Sequence, residues 1–183
     1  MSTAVKADSP ADNKTLDALI TAIAEGNMDP LEELYRLTAT PVHSFALSIL
    51  RNRHDAEDVL HDCYLSIVRS AGSYRSHGKP MAWILTIARN LSLSKLRESG
   101  RESSLDDENA GEYEAPSDAV DVEEKMLLEA CLNQLGEQER QIVTLHLTAG
   151  FKHREIASLL ELPLSTVLSK YHRALKKLRA MVA

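Results

Sequence analysis

Apolar residues recur every three to four positions along most of the chain, with Gly and Pro as punctuation, so the sequence reads as a succession of amphipathic helices. In residues 15–25, Leu16, Leu19, Ile20 and Ile23 share one face and Gly26 stands as a stop. The next segment opens with Asp29 as a cap and Pro30 at the first helical position. Pro41 is expected to break or kink it before Val42, Phe45, Ala46 and Ile49 resume the stripe. The spacing then predicts a helix from Asp55 to Ser70, with Val59, Leu60, Cys63, Tyr64 and Ile67 inward. A further helix opens at Pro80 and carries Trp83, Ile84, Ile87, Ala88 and Leu91 at core spacing.

Beyond residue 124 the period returns. A helix is expected over residues 126–135 and a second over 136–149, closed by Gly150. Two more, over residues 152–161 and 163–181, are separated only by a tight turn at Leu162 and Pro163. Ile156, Ala157 and Leu160 point inward from the first of these, and Val167, Tyr171, Ala174, Leu175 and Leu178 from the second. That is the arrangement of a helix-turn-helix. The intervening residues 99–123 hold Asp and Glu with Ser, Gly, Pro and Asn, too few large apolar side chains to offset the entropy of ordering. The expected fold is therefore all-α: a disordered tail (1–14), a helical N-terminal domain (15–98), an acidic flexible linker (99–123) and a C-terminal helix-turn-helix domain (124–183).

An apolar fraction of 44% over 183 residues, with few aromatics, supports folded helical units. The net charge of −6 conceals a segregation of signs. From Cys63 through Arg97 there is no Asp or Glu, whereas Arg69, Arg75, Lys79, Arg89, Lys95 and Arg97 are cationic. Residues 162–179 also lack acids and carry Lys170, Arg173, Lys176, Lys177 and Arg179. An anionic polymer touched at two places explains both stretches, because each neutralised phosphate releases counterions. The last helix turns Ser165, Thr166, Ser169, Lys170, Arg173 and Lys176 outward, a set of donors suited to a major groove and its phosphates. Asp55, Glu57, Asp58 and Asp62 gather instead toward the start of the helix at 55–70, where they complement its dipole.

Other chemistry is not indicated. Cys63 and Cys131 stand outside any CxxC or zinc-ligand spacing and read as small buried apolar residues. His61, His77 and His153 form no ligand set and are expected at the surface. No nucleophile, base and orienting group fall into a catalytic pattern, so neither an enzyme nor a metal or other cofactor is expected. The N-terminus lacks an apolar leader, and no stretch approaches the roughly 18 to 20 apolar residues of a membrane span, so a cytoplasmic protein without membrane insertion is expected.

Two segments resemble the extracytoplasmic-function group of bacterial RNA polymerase sigma factors. DAEDVLHDCYL followed by SYRSHGKPMAWILTIARNLSLSKLR is similar to the family's segment for polymerase binding and promoter opening. LGEQERQIVTLHLTAGFKHREIASLLELPLSTVLSKYHRALKKLR is similar to its C-terminal helix-turn-helix. The resemblance implies a dissociable specificity subunit whose partners are core RNA polymerase and promoter DNA, double-stranded and melted, with an anti-sigma factor as an optional third. It assigns Asp55, Glu57, Asp58 and Asp62 to polymerase docking. It assigns Tyr74, Arg75, His77, Lys79, Trp83, Arg89, Asn90, Lys95 and Arg97 to the minus-ten element, where an extruded base needs stacking and hydrogen bonds. The minus-thirty-five element falls to Ser165, Thr166, Leu168, Ser169, Lys170, Arg173 and Lys176.

The chain departs from the family pattern at Met81 and Ala82, where Arg-Thr is common before the Trp, and at Ser94, where Asp is frequent. It also departs at Leu168, usually Lys or Arg, and at Lys170, usually Arg. Leu168 fits either a thymine methyl or a protein interface. The residues also leave open a LuxR-like helix-turn-helix regulator, and a sigma-like protein that only sequesters a partner.

Overall fold

The computed structural model describes residues 12–102 and 130–182, and every regular element among them is helical. The order is α1 (Asn13–Ala24), α2 (Pro30–Leu50), α3 (Arg53–Ser70), a single 3-10 turn (Ala71–Ser73), α4 (Pro80–Glu102), α5 (Glu137–Thr148), α6 (His153–Leu160) and α7 (Leu164–Val182). Helix α4 continues through Glu102, past the boundary expected at residue 98. Helix α1 begins at Asn13, inside the tail expected over 1–14; residues 1–11 of that tail and residues 103–123 of the linker expected over 99–123 lie outside the described residues, as does most of the helix expected over 126–135, whose residues 130–133 are described and helical.

Local chemistry sets the helix ends. Gly26 takes φ +90°, which lets the Asn27 N–H reach the Ala22 carbonyl (3.1 Å) and close α1. Asp29 occupies the cap position of α2 but makes no side-chain capping bond, contrary to expectation; Asn27 Oδ1 instead accepts from the Asp29 N–H (3.0 Å). Helix α3 starts at Arg53 rather than Asp55 because the Asn52 side chain accepts from the Asp55 N–H at 3.0 Å.

Pro41 neither breaks nor divides its helix: α2 runs unbroken for 21 residues through it. An internal proline costs about 3 kcal/mol. Leu34 before it and Val42, Phe45 and Ile49 after it are buried, each worth about 1.5–3 kcal/mol, so packing on both sides outweighs the lost bond. The Thr38 hydroxyl donates to the Leu34 carbonyl (2.7 Å) and lies 2.6 Å from Tyr64 Oη, fastening the same stretch to α3.

Leu16, Ile20 and Ile23 of α1, Phe45 and Ile49 of α2, Cys63 and Ile67 of α3, and Ile84, Leu85 and Ala88 of α4 form the N-terminal core. That core does not stop at the expected domain boundary. Ile142 and Leu145 of α5, Phe151, and Ile156 of α6 belong to the same buried cluster. Arg140 on α5, only 5% exposed, donates from Nε to the Ser48 carbonyl of α2 (2.8 Å) and from Nη1 to the Leu135 carbonyl (3.3 Å). The two helical units thus lie packed together, α5 against α2 and α6 against α4.

In the helix-turn-helix itself, α6 ends where Glu161 adopts φ 56°, ψ 41°. The Leu162 N–H bonds to the Ala157 carbonyl (3.0 Å), and α7 begins three residues after Glu161. A left-handed residue with a Cβ is strained by about 1–2 kcal/mol. The contact of Glu161 with Arg89 Nη1 is 3.5 Å long and its side chain is mostly exposed, so it returns little. Replacing Glu161 with glycine is therefore expected to raise stability by about 0.5–1 kcal/mol in thermal denaturation, after the entropy lost by a freer unfolded chain. A lower midpoint would show that the Arg89 pair outweighs the strain.

Candidate nucleic-acid interface

Val167 and Ala174 anchor α7 in the helix-turn-helix core and so fix which side faces out. Ser165, Leu168, Ser169, Arg173 and Lys176 are exposed or partly so, and Thr166 and Lys170 share the same side. The structure thus brings the seven residues expected at the minus-thirty-five element to one accessible face of α7 with no acid of that helix on it. Ser169 Oγ donates to the Thr166 carbonyl at 3.1 Å, which holds one hydroxyl against the helix. Hydroxyls lie toward the N-terminal end and cations toward the C-terminal end, an order that suits base edges and phosphates respectively.

An acid does approach α7 from behind. Glu139 on α5 is 4% exposed; its Oε2 accepts from Lys177 Nζ (2.6 Å) and the Gly136 N–H (3.1 Å), and its Oε1 lies 3.9 Å from Arg173 Nε. Burial works against its ionisation, but the Lys177 ammonium, the Gly136 amide and Arg173 together outweigh it and hold the carboxyl below its usual range. Sequence reasoning missed this residue; its sole local trace is the capping spacing between Gly136 and Glu139. Nearby, His153 is half-buried rather than at the surface as expected. It stacks on His146 (centroids 5.1 Å) and meets the Tyr171 ring edge-on (4.6 Å). Burial, reinforced by His146 and His172, lowers its proton affinity.

The second cationic surface is the loop between the 3-10 turn and α4. It is tied to α1: the Tyr74 hydroxyl and Ser76 Oγ (2.9 Å) both donate to the Asp17 carboxylate, and Asn13 Nδ2 donates to the Gly78 carbonyl (3.0 Å). Burial, and then the Asp17 bond, push the Tyr74 phenol well above its ordinary range, so it remains a donor. The Tyr74 ring lies 4.8 Å from Trp83 at a tilt of 52°, which makes a half-buried aromatic pair at the mouth of α4. Arg75, His77 and Lys79 on the loop are exposed, as are Asn90 and Arg97 along α4. Asp17 and Asn13 carried no local signal, because their partners lie 57 to 65 residues away.

Two residues expected in this cationic set have other partners. Lys95 reaches back to α3, 2.7 Å from Asp58 and 3.4 Å from Asp55, and belongs to the acidic face rather than the loop. The Lys95 ammonium is the main reason the Asp58 carboxyl sits below its usual range. Arg89 faces Glu161 of the helix-turn-helix turn. On the acidic face, Glu57 pairs with Arg53 (2.9 Å) and Asp62 is exposed. Alongside runs an apolar groove that the sequence did not suggest, lined by Met28, Leu31, Tyr35, Tyr64, Leu65 and Val68, of which Met28, Tyr35 and Leu65 are exposed.

Cys63 and Cys131 are both buried and unbridged, and burial pushes the Cys63 thiol up to about 12. Among the described residues no group of His, Cys, Asp or Glu is arranged to hold a metal ion, and no helix is long and apolar enough to cross a membrane.

Two family models match the chain: sigma-70 region 2 over residues 34–102 and sigma-70 region 4 over residues 125–178. Together they take in α3, the loop, α4 and the helix-turn-helix. The ECF RNA polymerase sigma factor SigK of Mycobacterium ulcerans is 31% identical over 178 residues, covering 93% of this chain and 95% of that one. The RNA polymerase sigma factor CarQ of Myxococcus xanthus is 30% identical over 161 residues, covering 86% and 92%. Among solved structures, the fold is similar to the sigma factor RpoE in its complex with the anti-sigma factor NepR from Bartonella quintana. The TM-score is 0.68 at 23% identity, with 82% of this chain and 95% of that chain covered. It is also similar to CnrH in complex with the cytosolic domain of CnrY, with a TM-score of 0.64 at 20% identity and coverages of 92% and 97%. An acid-free cationic loop on one helical unit, an acid-free second helix of the helix-turn-helix on the other, and these matches in the same order along the chain lead to one conclusion: the protein belongs to the extracytoplasmic-function group of RNA polymerase sigma factors.

Proposed function

We propose that the chain binds core RNA polymerase in the cytoplasm, directs it to promoters, and opens them through two separate DNA contacts. The observation that carries this is the presence, in one chain, of two cation-bearing surfaces on different helical units together with a separate carboxylate face on α3. The unit from α1 through α4 supplies polymerase docking and the minus-ten contact, residues 124–183 the minus-thirty-five contact, and residues 103–123 the connection between them. Docking falls to Asp55, Glu57, Asp58 and Asp62, joined by the apolar groove beside them. Tyr74, Arg75, His77, Lys79, Trp83, Arg89, Asn90 and Arg97 meet the melted strand; the tilted Tyr74–Trp83 pair offers an unstacked base an aromatic surface. The outward face of α7 meets the duplex. Sigma factors are non-enzymatic, and bond formation belongs to the polymerase. In the packed arrangement Arg89 faces Glu161 across the two units at 3.5 Å, a weak contact that an arriving phosphate can displace. The anti-sigma factor bound to the Bartonella quintana sigma factor points to a partner of that class for this chain.

Run-off transcription with core polymerase tests the reading, with promoter-dependent initiation as the expected result. Asp55 and Asp58 are poor probes of docking because each also holds Lys95. Asp62→Arg is the cleaner one: an exposed reversal leaves folding nearly unchanged. It is expected to weaken core binding at least tenfold, as desolvated interfacial charge reversals do. Unchanged pull-down of core polymerase by this variant would reject the acidic face as the dock.

A further inference from the structure

We propose that Glu139 is a specificity-determining residue: from beneath α7 it neutralises one cation of the DNA-facing helix and so limits sequence-independent attraction to phosphate. The inference rests on the reading of α7 as the duplex-contacting helix. Five cations lie on α7 within residues 170–179, namely Lys170, Arg173, Lys176, Lys177 and Arg179. Affinity from phosphate contacts grows with each of them regardless of sequence, while the hydroxyls and Leu168 that read base edges gain nothing. A factor that must leave non-promoter DNA is served by fewer free cations, not more.

The geometry of Glu139 suits such a role. A carboxylate on a mobile surface side chain would swing away when a phosphate arrived. Glu139 is 4% exposed and fixed by the Gly136 N–H at 3.1 Å, so it cannot leave. Lys177 Nζ at 2.6 Å is held by a permanent internal counterion and has little charge to offer DNA. Arg173, at 3.9 Å and largely exposed, is only loosely held and stays available for a phosphate. Glu139 therefore compensates Lys177 internally, holds Arg173 loosely and leaves Lys170, Lys176 and Arg179 uncompensated by itself, without being part of the DNA-facing surface.

The test uses the full-length chain, a random-sequence duplex, and fluorescence anisotropy across roughly 50–200 mM salt. Glu139→Gln keeps an acceptor for the Gly136 N–H, so the start of α5 remains capped, while the charge is removed. Freeing one cation steepens the dependence of log affinity on log salt by about 0.9, which makes the loss of affinity across that range about 3- to 4-fold larger than for the wild type. Affinity at the low-salt end rises for every sequence. Adding Lys177→Ala both to the wild type and to the Glu139→Gln variant abolishes the difference between them. An unchanged or shallower slope in Glu139→Gln overturns the proposal, as does a steeper slope that survives Lys177→Ala. Arg173→Ala reports separately on the underlying reading: a shallower slope upholds α7 as the DNA contact. Duplex binding insensitive to Arg173→Ala rejects that reading and this inference together. A purely structural role for Glu139 predicts a lower melting temperature with no change in slope, an outcome that also overturns the proposal.

Discussion

Arg140→Ala is expected to destabilise the chain by about 2–4 kcal/mol and to loosen the packing of α5 on α2. The guanidinium is one of the few charged groups buried in the structure, and its two bonds reach different helical units, the Ser48 carbonyl on α2 and the Leu135 carbonyl just before α5. Removing it leaves both carbonyls without that donor in sites that water barely reaches, each at about 1–3 kcal/mol. It also empties the space filled by the aliphatic stem. Part of this loss is recovered, because burying the cation is itself costly: desolvation, with repulsion from Arg51, depresses the Arg140 pKa. The net figure follows from subtracting that relief. Arg140→Lys keeps a charge but not the two-directional fork, and should restore less than half of the loss. Urea denaturation reads the stability, and limited proteolysis between the two units reads the loosening. A loss under about 0.5 kcal/mol, which is the range of an ordinary surface substitution, would show that the bond to Ser48 adds nothing to the packed state.

The pattern of apolar positions carried the helices, because a 3.6-residue period is written locally: α1, α3, α4 and the α6–α7 pair lie where their stripes placed them. The cations and hydroxyls on the outward face of α7 were legible for the same reason, since Val167, Ala174 and their neighbours define the inner face. What was illegible depends on partners far away in sequence. Pro41 looked like a break because its cost is local, whereas the burial of Leu34 and Phe45 that offsets it is supplied by other helices. Lys95 looked like part of a basic block, yet its charge is met on α3, 37 residues earlier. A run of one sign reports what a segment carries and not which neighbour it faces. Arg140, Glu139 and Asp17 each sit in sequence that reads as ordinary helix surface; their roles arise when packing removes water around them. His153 belongs to the same class, since only the approach of Tyr171 takes it out of solvent.

Asp17→Ala is expected to slow promoter opening about tenfold while leaving polymerase binding intact. Asp17 accepts hydrogen bonds from Tyr74 and Ser76, and Asn13 on the same helix holds Gly78, so three of the six residues in the loop 74–79 are fastened to α1. Gly78 stands at φ +70° within it, a conformation that adds freedom once the ties are cut. A bond to an ionised acceptor contributes about 1.5–3 kcal/mol when sheltered, and less at this partly exposed site. Losing about 1.4 kcal/mol of preorganisation corresponds to a factor of ten. The loop would then reach the same bound state, but it would order itself against the melted strand at the moment of opening instead of beforehand. The loss should therefore appear in the rate of open-complex formation. Asp17→Asn, which keeps one acceptor oxygen, should fall between the two, and Tyr74→Phe should reproduce part of the defect by deleting one donor. A template with a mismatched, pre-opened minus-ten region removes the step in question, so on it the variant and wild type should initiate at nearly equal rates. If the defect persists on that template, Asp17 acts through folding or docking, and the loop is not the part it positions.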